Sequence, residues 1–191
     1  YPNTTRKDEA YEFLLSVYLK TKNYEAALAS LDEIKEKDIR LKDAYQKLAF
    51  DRGVELYEGR MYKDAALFFE RALKYPVDPS VNAKAHFWMA ESYYGEADYA
   101  AALRKYDDLR NSPGSYATDL YEQAGYGMGY TFFKMKQYDE AATSFRRYVG
   151  AKQGKPEQRA DAMLRTGDCY FVTKDNAQAV KWYDDALRTG S

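Results

Sequence analysis

The side chains with the widest chemical repertoire in this sequence are few and scattered. His86 is the sole histidine and Cys169 the sole cysteine. One imidazole cannot complete a Ser/His/Asp relay or a histidine-rich metal site, and one thiol forms neither an internal disulfide nor a cysteine metal cage. His86, next to Phe87 and Trp88, reads as a partly exposed helix residue; Cys169, beside Tyr170, reads as a buried structural thiol. The run Gly125-Tyr126-Gly127-Met128-Gly129 lacks the G-x-G-x-x-G spacing that cradles phosphate, and it sits inside a helical pattern rather than after a strand. Gly129 reads as a close helix contact. Gly125 and Gly127 read as opening space on a concave face, at a helix-propensity cost of about 1 kcal/mol each. The neighbouring carboxylates Asp107-Asp108 and Asp184-Asp185 point in different directions on a helix and read as solvated faces. H-E-x-x-H, C-x-x-C, P-loop and G-x-S-x-G patterns are absent. No catalytic residue, metal ligand or cofactor site is therefore expected. Asn3-Thr4-Thr5 matches a glycosylation sequon, a motif short enough to arise by chance.

What the sequence holds in abundance is aromatic mass. Of 191 residues, 20 are tyrosine and 16% are aromatic, which supplies a core and argues against disorder. The net charge is −1 with both signs intermixed, so neither a nucleic-acid-binding patch nor an acidic tail is present. No run reaches the roughly 18 apolar residues of a membrane span. No leader is visible, although the chain starts at Tyr1, so one could have been removed.

The aromatic residues recur. The stretch Gly53 to Pro76, GVELYEGRMYKDAALFFERALKYP, reads as two amphipathic helices joined by a tight turn. An alanine of a Tyr-x-x-Ala pair falls at Ala27, Ala65, Ala102 and Ala141, and at Ala179 with Asn176 replacing the tyrosine; the intervals are 38, 37, 39 and 38. Four residues after each alanine stands Leu31, Phe69, Tyr106, Phe145 or Tyr183, and nine before it Tyr18, Leu56, Tyr93, Phe132 or Tyr170. Twelve before it the residue is small in four copies (Gly53, Ala90, Gly129, Gly167) and Leu15 in the first. A small residue where a first helix (A) crosses a second (B) lets the backbones approach, while large apolar side chains flank the crossing. One such hairpin cannot bury its face alone, so neighbours must stack.

This pattern resembles the tetratricopeptide repeat (TPR), W-x2-L-G-x2-Y…A-x3-F…P with a usual period of about 34. Gly53, Leu56, Ala65, Phe69, Ala72 and Pro76 match it, as do Gly129, Phe132, Ala141 and Phe145. The period is longer than the family norm, implying longer helices or links. The resemblance implies an all-α fold, a right-handed α-solenoid of five helix-turn-helix repeats at approximately 6–37, 38–75, 78–111, 115–150 and 156–189, in a single domain spanning 1–191. The long repeats, with Tyr75-Pro76 followed by a helix ending Ala-x-Phe-Trp-x-Ala-x-x-Tyr-Tyr (to Tyr94), are similar to those of bacterial cell-envelope TPR proteins, which implies a periplasmic setting. Tyr1-Pro2 echoes Tyr75-Pro76, and the chain stops where a next A helix would begin, so it is expected to be an excerpt of a longer repeat protein.

The expected helices are A1 6–20, B1 24–36, A2 39–58, B2 62–75, A3 81–95, B3 ending near 110, A4 116–134, B4 138–149, A5 157–172 and B5 following a cap at Asp175. In the family, A helices line a concave groove. Carried onto this sequence, the groove positions are Phe50, Val54 and Tyr57; Phe87, Glu91 and Tyr94; Tyr126, Tyr130 and Phe133; and Leu164, Arg165, Asp168 and Phe171. Chaperone-binding members place Lys and Asn there to clamp a carboxylate, and these residue types exclude such a clamp. The implied function is a non-catalytic protein-interaction scaffold holding a peptide or helix in an aromatic groove. Self-association through open ends, or carbohydrate stacking on the aromatic rings, are the alternatives, and the same rings could instead pack between successive A helices.

Overall fold

In this computed structural model residues 23–113, 115–151 and 155–189 are described. Nine α-helices and no strand occur among them. They are α1 (Tyr24–Asp32), α2 (Ile39–Glu58), α3 (Tyr62–Ala72), α4 (Pro79–Gly95), α5 (Tyr99–Asn111), α6 (Asp119–Lys134), α7 (Tyr138–Gly150), α8 (Pro156–Val172) and α9 (Asn176–Thr189), with a 3-10 turn at Ser115–Ala117. The even-numbered helices are the expected A helices, and the odd-numbered ones are B. Helix A1, with Leu15 and Tyr18, and the sequon at Asn3 lie outside the described residues. The helices gather into two compact units, residues 1–88 and 89–191, dividing within α4.

Three of the hairpins are held by a ring over a glycine. A Cβ built on Gly53 would stand 2.7 Å from the Phe69 ring, one on Gly129 2.6 Å from Phe145, and one on Gly167 2.5 Å from Tyr183. The glycine thus does more than bring the backbones together, because the B-helix ring occupies the space its missing side chain leaves. Phe69 and Phe145 are fully buried, as are the anchor alanines Ala65, Ala102 and Ala141. Burying one such phenylalanine contributes about 2–3 kcal/mol. Gly127 corrects the expectation of open space: it meets the ring of Tyr106, a B-helix side chain of the preceding hairpin, and Gly125 is buried with the Arg110 guanidinium 3.5 Å from where its Cβ would be.

The A-to-B turns repeat one conformation. Arg60, Ala97, Lys136 and Lys174, each five residues before an anchor alanine, have φ of 59°, 60°, 61° and 67°. The Met61 N–H donates to the Leu56 carbonyl and the Arg60 N–H to Tyr57, and the other three turns bond in the same way. This is a Schellman closure made without glycine at the left-handed position.

Helix ends differ from expectation where local bonds intervene. α1 stops at Asp32, four residues early, and Lys37 Nζ donates to the Ile34 carbonyl at 2.6 Å just beyond it. The last turn expected for α3 tightens instead, with Leu73 and Lys74 N–H groups reaching Glu70 and Arg71, three residues back. α6 begins at Asp119 rather than Tyr116 because the 3-10 turn precedes it, tied by Ser115 Oγ to the Arg110 carbonyl. Asp38 and Asp98 cap α2 and α5 through Leu41 and Ala101 N–H, whereas Asn23 precedes α1 without a side-chain cap bond.

Candidate functional site

In the first unit the A-helix face is mostly apolar. Phe50 is half-buried with its ring 5.7 Å from Phe69, and Val54 is half-buried a turn further on. Tyr57 stacks between Tyr62 (5.4 Å) and Trp88 (4.9 Å). Phe87 meets Trp88 edge-on and is only 8% exposed, which puts it in the core and out of a partner's reach. α2 and α4 are pinned by neutral amides: Gln46 Nε2 donates to Asn82 Oδ1 (2.7 Å), and Gln46 Oε1 accepts from the Asp78 N–H (2.8 Å).

In the second unit the corresponding residues form a hydroxyl–carboxylate network. Tyr126 and Tyr130 on α6, their rings 5.2 Å apart, both donate to Asp161 Oδ2 on α8, Tyr126 at 2.6 Å. Arg165 pairs with Asp161 (3.5 Å) and with Asp168, and Asp168 accepts from Tyr183 at 2.9 Å. Burial first, then the Asp161 carboxylate, raises both phenols, Tyr130 to about 12 and Tyr126 further. Glu91 accepts from Tyr106; burial pushes its carboxyl up, and that hydrogen bond opposes the shift. The two tyrosines therefore spend their hydroxyls within the protein and offer a partner only ring faces.

A second pairing recurs along the A helices. The residue eight before the anchor alanine stacks on the residue three before it: Tyr57 on Tyr62, Tyr94 on Tyr99 (5.6 Å) and Phe133 on Tyr138 (5.4 Å). In the last copy Asn176 replaces the tyrosine, and Phe171 is 63% exposed. Leu164 is exposed as well. Asp161, Trp88 and Tyr183 were not anticipated at the site. The signal for Asp161 was the tyrosine count itself, since buried hydroxyls require acceptors.

Cys169 is buried, as expected of a structural thiol, and burial first, then Asp168, pushes it up to about 12. His86 is half-buried. No cluster of potential metal ligands occurs among the described residues. No described helix is long and apolar enough to cross a membrane.

Two clefts open beside the B helices, at the same repeat register 76 residues apart. The first, of about 460 Å³, has Arg52, Leu56, Asp64 and Arg71 in its wall; the second, of about 370 Å³, has Met128, Phe132, Glu140 and Arg147 at those positions.

No curated protein sequence matches the chain. Among solved structures it is similar to MamA from Desulfovibrio magneticus RS-1 (TM-score 0.65, 15% identity, 95% of this chain and 94% of that one). It is similar also to YrrB, described as a TPR protein with an unusual peptide-binding site (0.66, 20%, 94% and 84%). BtubC (BKLC) from P. vanneervenii is a third (0.63, 17%, 95% and 78%). The tetratricopeptide repeat family profile matches residues 50–116 and 126–191, well over half of the sequence. With its helix hairpins, its ring-over-glycine crossings and its alanine register, the chain belongs to the tetratricopeptide repeat family.

Proposed function

We propose that this chain is a non-catalytic scaffold that holds a peptide or helix of a partner protein against its A-helix faces. One observation carries the reading: aromatic rings on those faces stay accessible after the core is satisfied. Tyr57 and Trp88 in the first unit, and Tyr94 and Phe133 in the second, are half-buried rather than enclosed. Such rings give contact area at low entropic cost. The peptide-binding site ascribed to YrrB supports the same use of this fold. The proposal extends to a bacterial cell-envelope setting, supported by the Tyr75–Tyr94 resemblance.

The test is a peptide array probed with the wild-type chain and with Tyr57→Ser and Tyr94→Ser. Loss of bound peptides by tenfold or more at unchanged helicity is expected from at least one variant. Undiminished binding in both, or no bound peptide at all, would overturn the reading.

A second reading, self-association, has its own observation. Phe171, Val172, Val180 and Leu187 on α8 and α9 are all exposed. At the register position of exposed Val180, Leu28, Ala66 and Ala142 are buried. Concentration-dependent sedimentation that disappears in Val180→Glu/Leu187→Glu is the expected outcome of that reading, and a monomer at all concentrations would refute it.

A further inference from the structure

The cleft beside α7 has an electrical polarity that no ion pair among the described residues uses. Two guanidiniums line it, Arg110 on α5 and Arg147 at the last turn of α7. Arg110 lies over the Tyr121 ring (4.5 Å to its centroid), donates to the Tyr121 hydroxyl at 3.0 Å and rests against Met128 Sδ. It is thus held in place by neutral groups alone, half-buried, with no carboxylate partner among the described residues. Arg147 is exposed and likewise has no ion pair among them. In the first turn of α7 are Asp139 and Glu140. Met128 and Phe132 supply an apolar floor, and Thr143 and Ser144 line the stretch between the charges.

The first unit contains the control. Arg71, at the register of Arg147, is bound there by Asp32 (2.9 Å), and Arg52, at the register of Met128, by Glu25 (2.8 Å) and Glu55 (2.7 Å). There the fold neutralises its own cations. In the second unit the two guanidiniums are left for something else, one of them already oriented. A guanidinium pre-set against an aromatic ring loses little freedom on meeting a carboxylate and can bind it through two parallel N–H groups.

We propose that this cleft is a second protein-binding surface, distinct from the A-helix face, and that it takes a peptide segment bearing an acidic and a basic residue about 10 Å apart. Glu140 and Arg147 are seven residues apart on α7, a separation of about 10 Å along a helix. An extended peptide spans that with charges three residues apart, a helical one with charges seven apart. The acidic residue meets Arg110 and Arg147, and the basic residue meets Asp139 and Glu140. The apolar floor favours a small or aliphatic side chain between them.

The probe is a random twelve-residue peptide library displayed on phage and selected against the intact chain. Enriched sequences should pair an acid with a base at one of those spacings. Their binding should fall at least tenfold with Arg147→Glu, fall less with Glu140→Lys, and weaken as salt rises. It should be unchanged by Arg71→Glu in the first cleft and by Tyr94→Ser on the A-helix face. Both Arg147 and Glu140 are exposed, so neither substitution threatens folding. Enriched peptides without an acid, peptides indifferent to Arg147→Glu, or no enrichment at all would overturn the proposal. Peptides sensitive to Tyr94→Ser and indifferent to Arg147→Glu would support the A-helix-face reading while refuting this one.

Discussion

The two units place the carboxylates that link their helices on opposite sides of the same repeat. In the first, the A-helix face is mostly apolar, with Asp51 its half-buried carboxyl and the Gln46–Asn82 amides pinning it, while the B-helix side is knitted by Arg52 and Arg71 to Glu25, Glu55 and Asp32. In the second, the network sits on the A-helix side, where Asp161 and Asp168 gather Tyr126, Tyr130, Arg165 and Tyr183. On its B-helix side Lys105 pairs with Asp108 within α5, and the cleft arginines have no carboxylate among the described residues. The backbone and core register are shared, so the difference lies in side chains the fold does not specify. A repeat scaffold can therefore move its adhesive surface from one side to the other without altering its frame.

The largest effect should appear where the units are alike. Phe69→Ala and Phe145→Ala each remove a buried ring seated over a glycine and should each cost about 3–5 kcal/mol in urea unfolding. A much smaller loss in one unit would show that its hairpins relax into the gap, and would break the equivalence.

Next comes the network that only the second unit possesses. Asp161→Ala strands two phenol donors and should cost about 2 kcal/mol. It should also bring the Tyr130 titration, followed by ultraviolet absorbance, down from about 12 towards the ordinary phenol range. A stability change without the titration shift would mean that burial alone raises the phenol.

Acid sensitivity compares one carboxyl from each unit. Burial raises Asp51 in the first and Glu91 in the second. A folded carboxyl above its unfolded value favours the protonated form. Its contribution is fully present below the unfolded pKa and is lost as pH rises through the folded one. Asp51→Asn and Glu91→Gln should each flatten the fall in thermal midpoint between weakly acidic and neutral pH. An unchanged slope would relieve that carboxyl of the role.

The smallest differences are at the surface. Arg71→Ala should cost under 1 kcal/mol at low salt and less at high salt, whereas Arg147→Ala should be neutral. Glycine at Lys136 or Arg60 should stabilise by up to about 1 kcal/mol by relieving a left-handed backbone. Equal gains would confirm that the turns are mechanically identical in the two units.

The repeat register was fully legible because it is written in side-chain volume: Gly53, Ala65 and Phe69 must fit one another, and the same three sizes return at Gly129, Ala141 and Phe145. The start of α5 was legible in the capping aspartate Asp98, whereas the boundary near Asp38, in a link without glycine or proline, was soft in the sequence although Asp38 caps α2. The left-handed turns were not, since Arg60, Ala97, Lys136 and Lys174 are unremarkable in type and only the closing hydrogen bonds impose that conformation on them. The A-helix face was legible in position but not in state. Spacing placed Phe87 and Tyr126 on it, but could not reveal that Phe87 sinks into the core or that the Tyr126 hydroxyl is committed to Asp161, 35 residues away. Charge pairing across such separations leaves no local periodicity to read.

The contact between Tyr106 and Gly127 has an evolutionary consequence. At Gly53, Gly129 and Gly167 a ring leans on a glycine of its own hairpin, but here the own-hairpin position holds Ala90 and the ring meets a glycine of the next one. Any side chain arriving at position 127 collides with a tyrosine inherited in a different module. Lineages can change that glycine only after the ring has shrunk, so the neutral path runs through Tyr106 first. Two hairpins that could otherwise be duplicated or exchanged as separate cassettes are thereby bound to drift together.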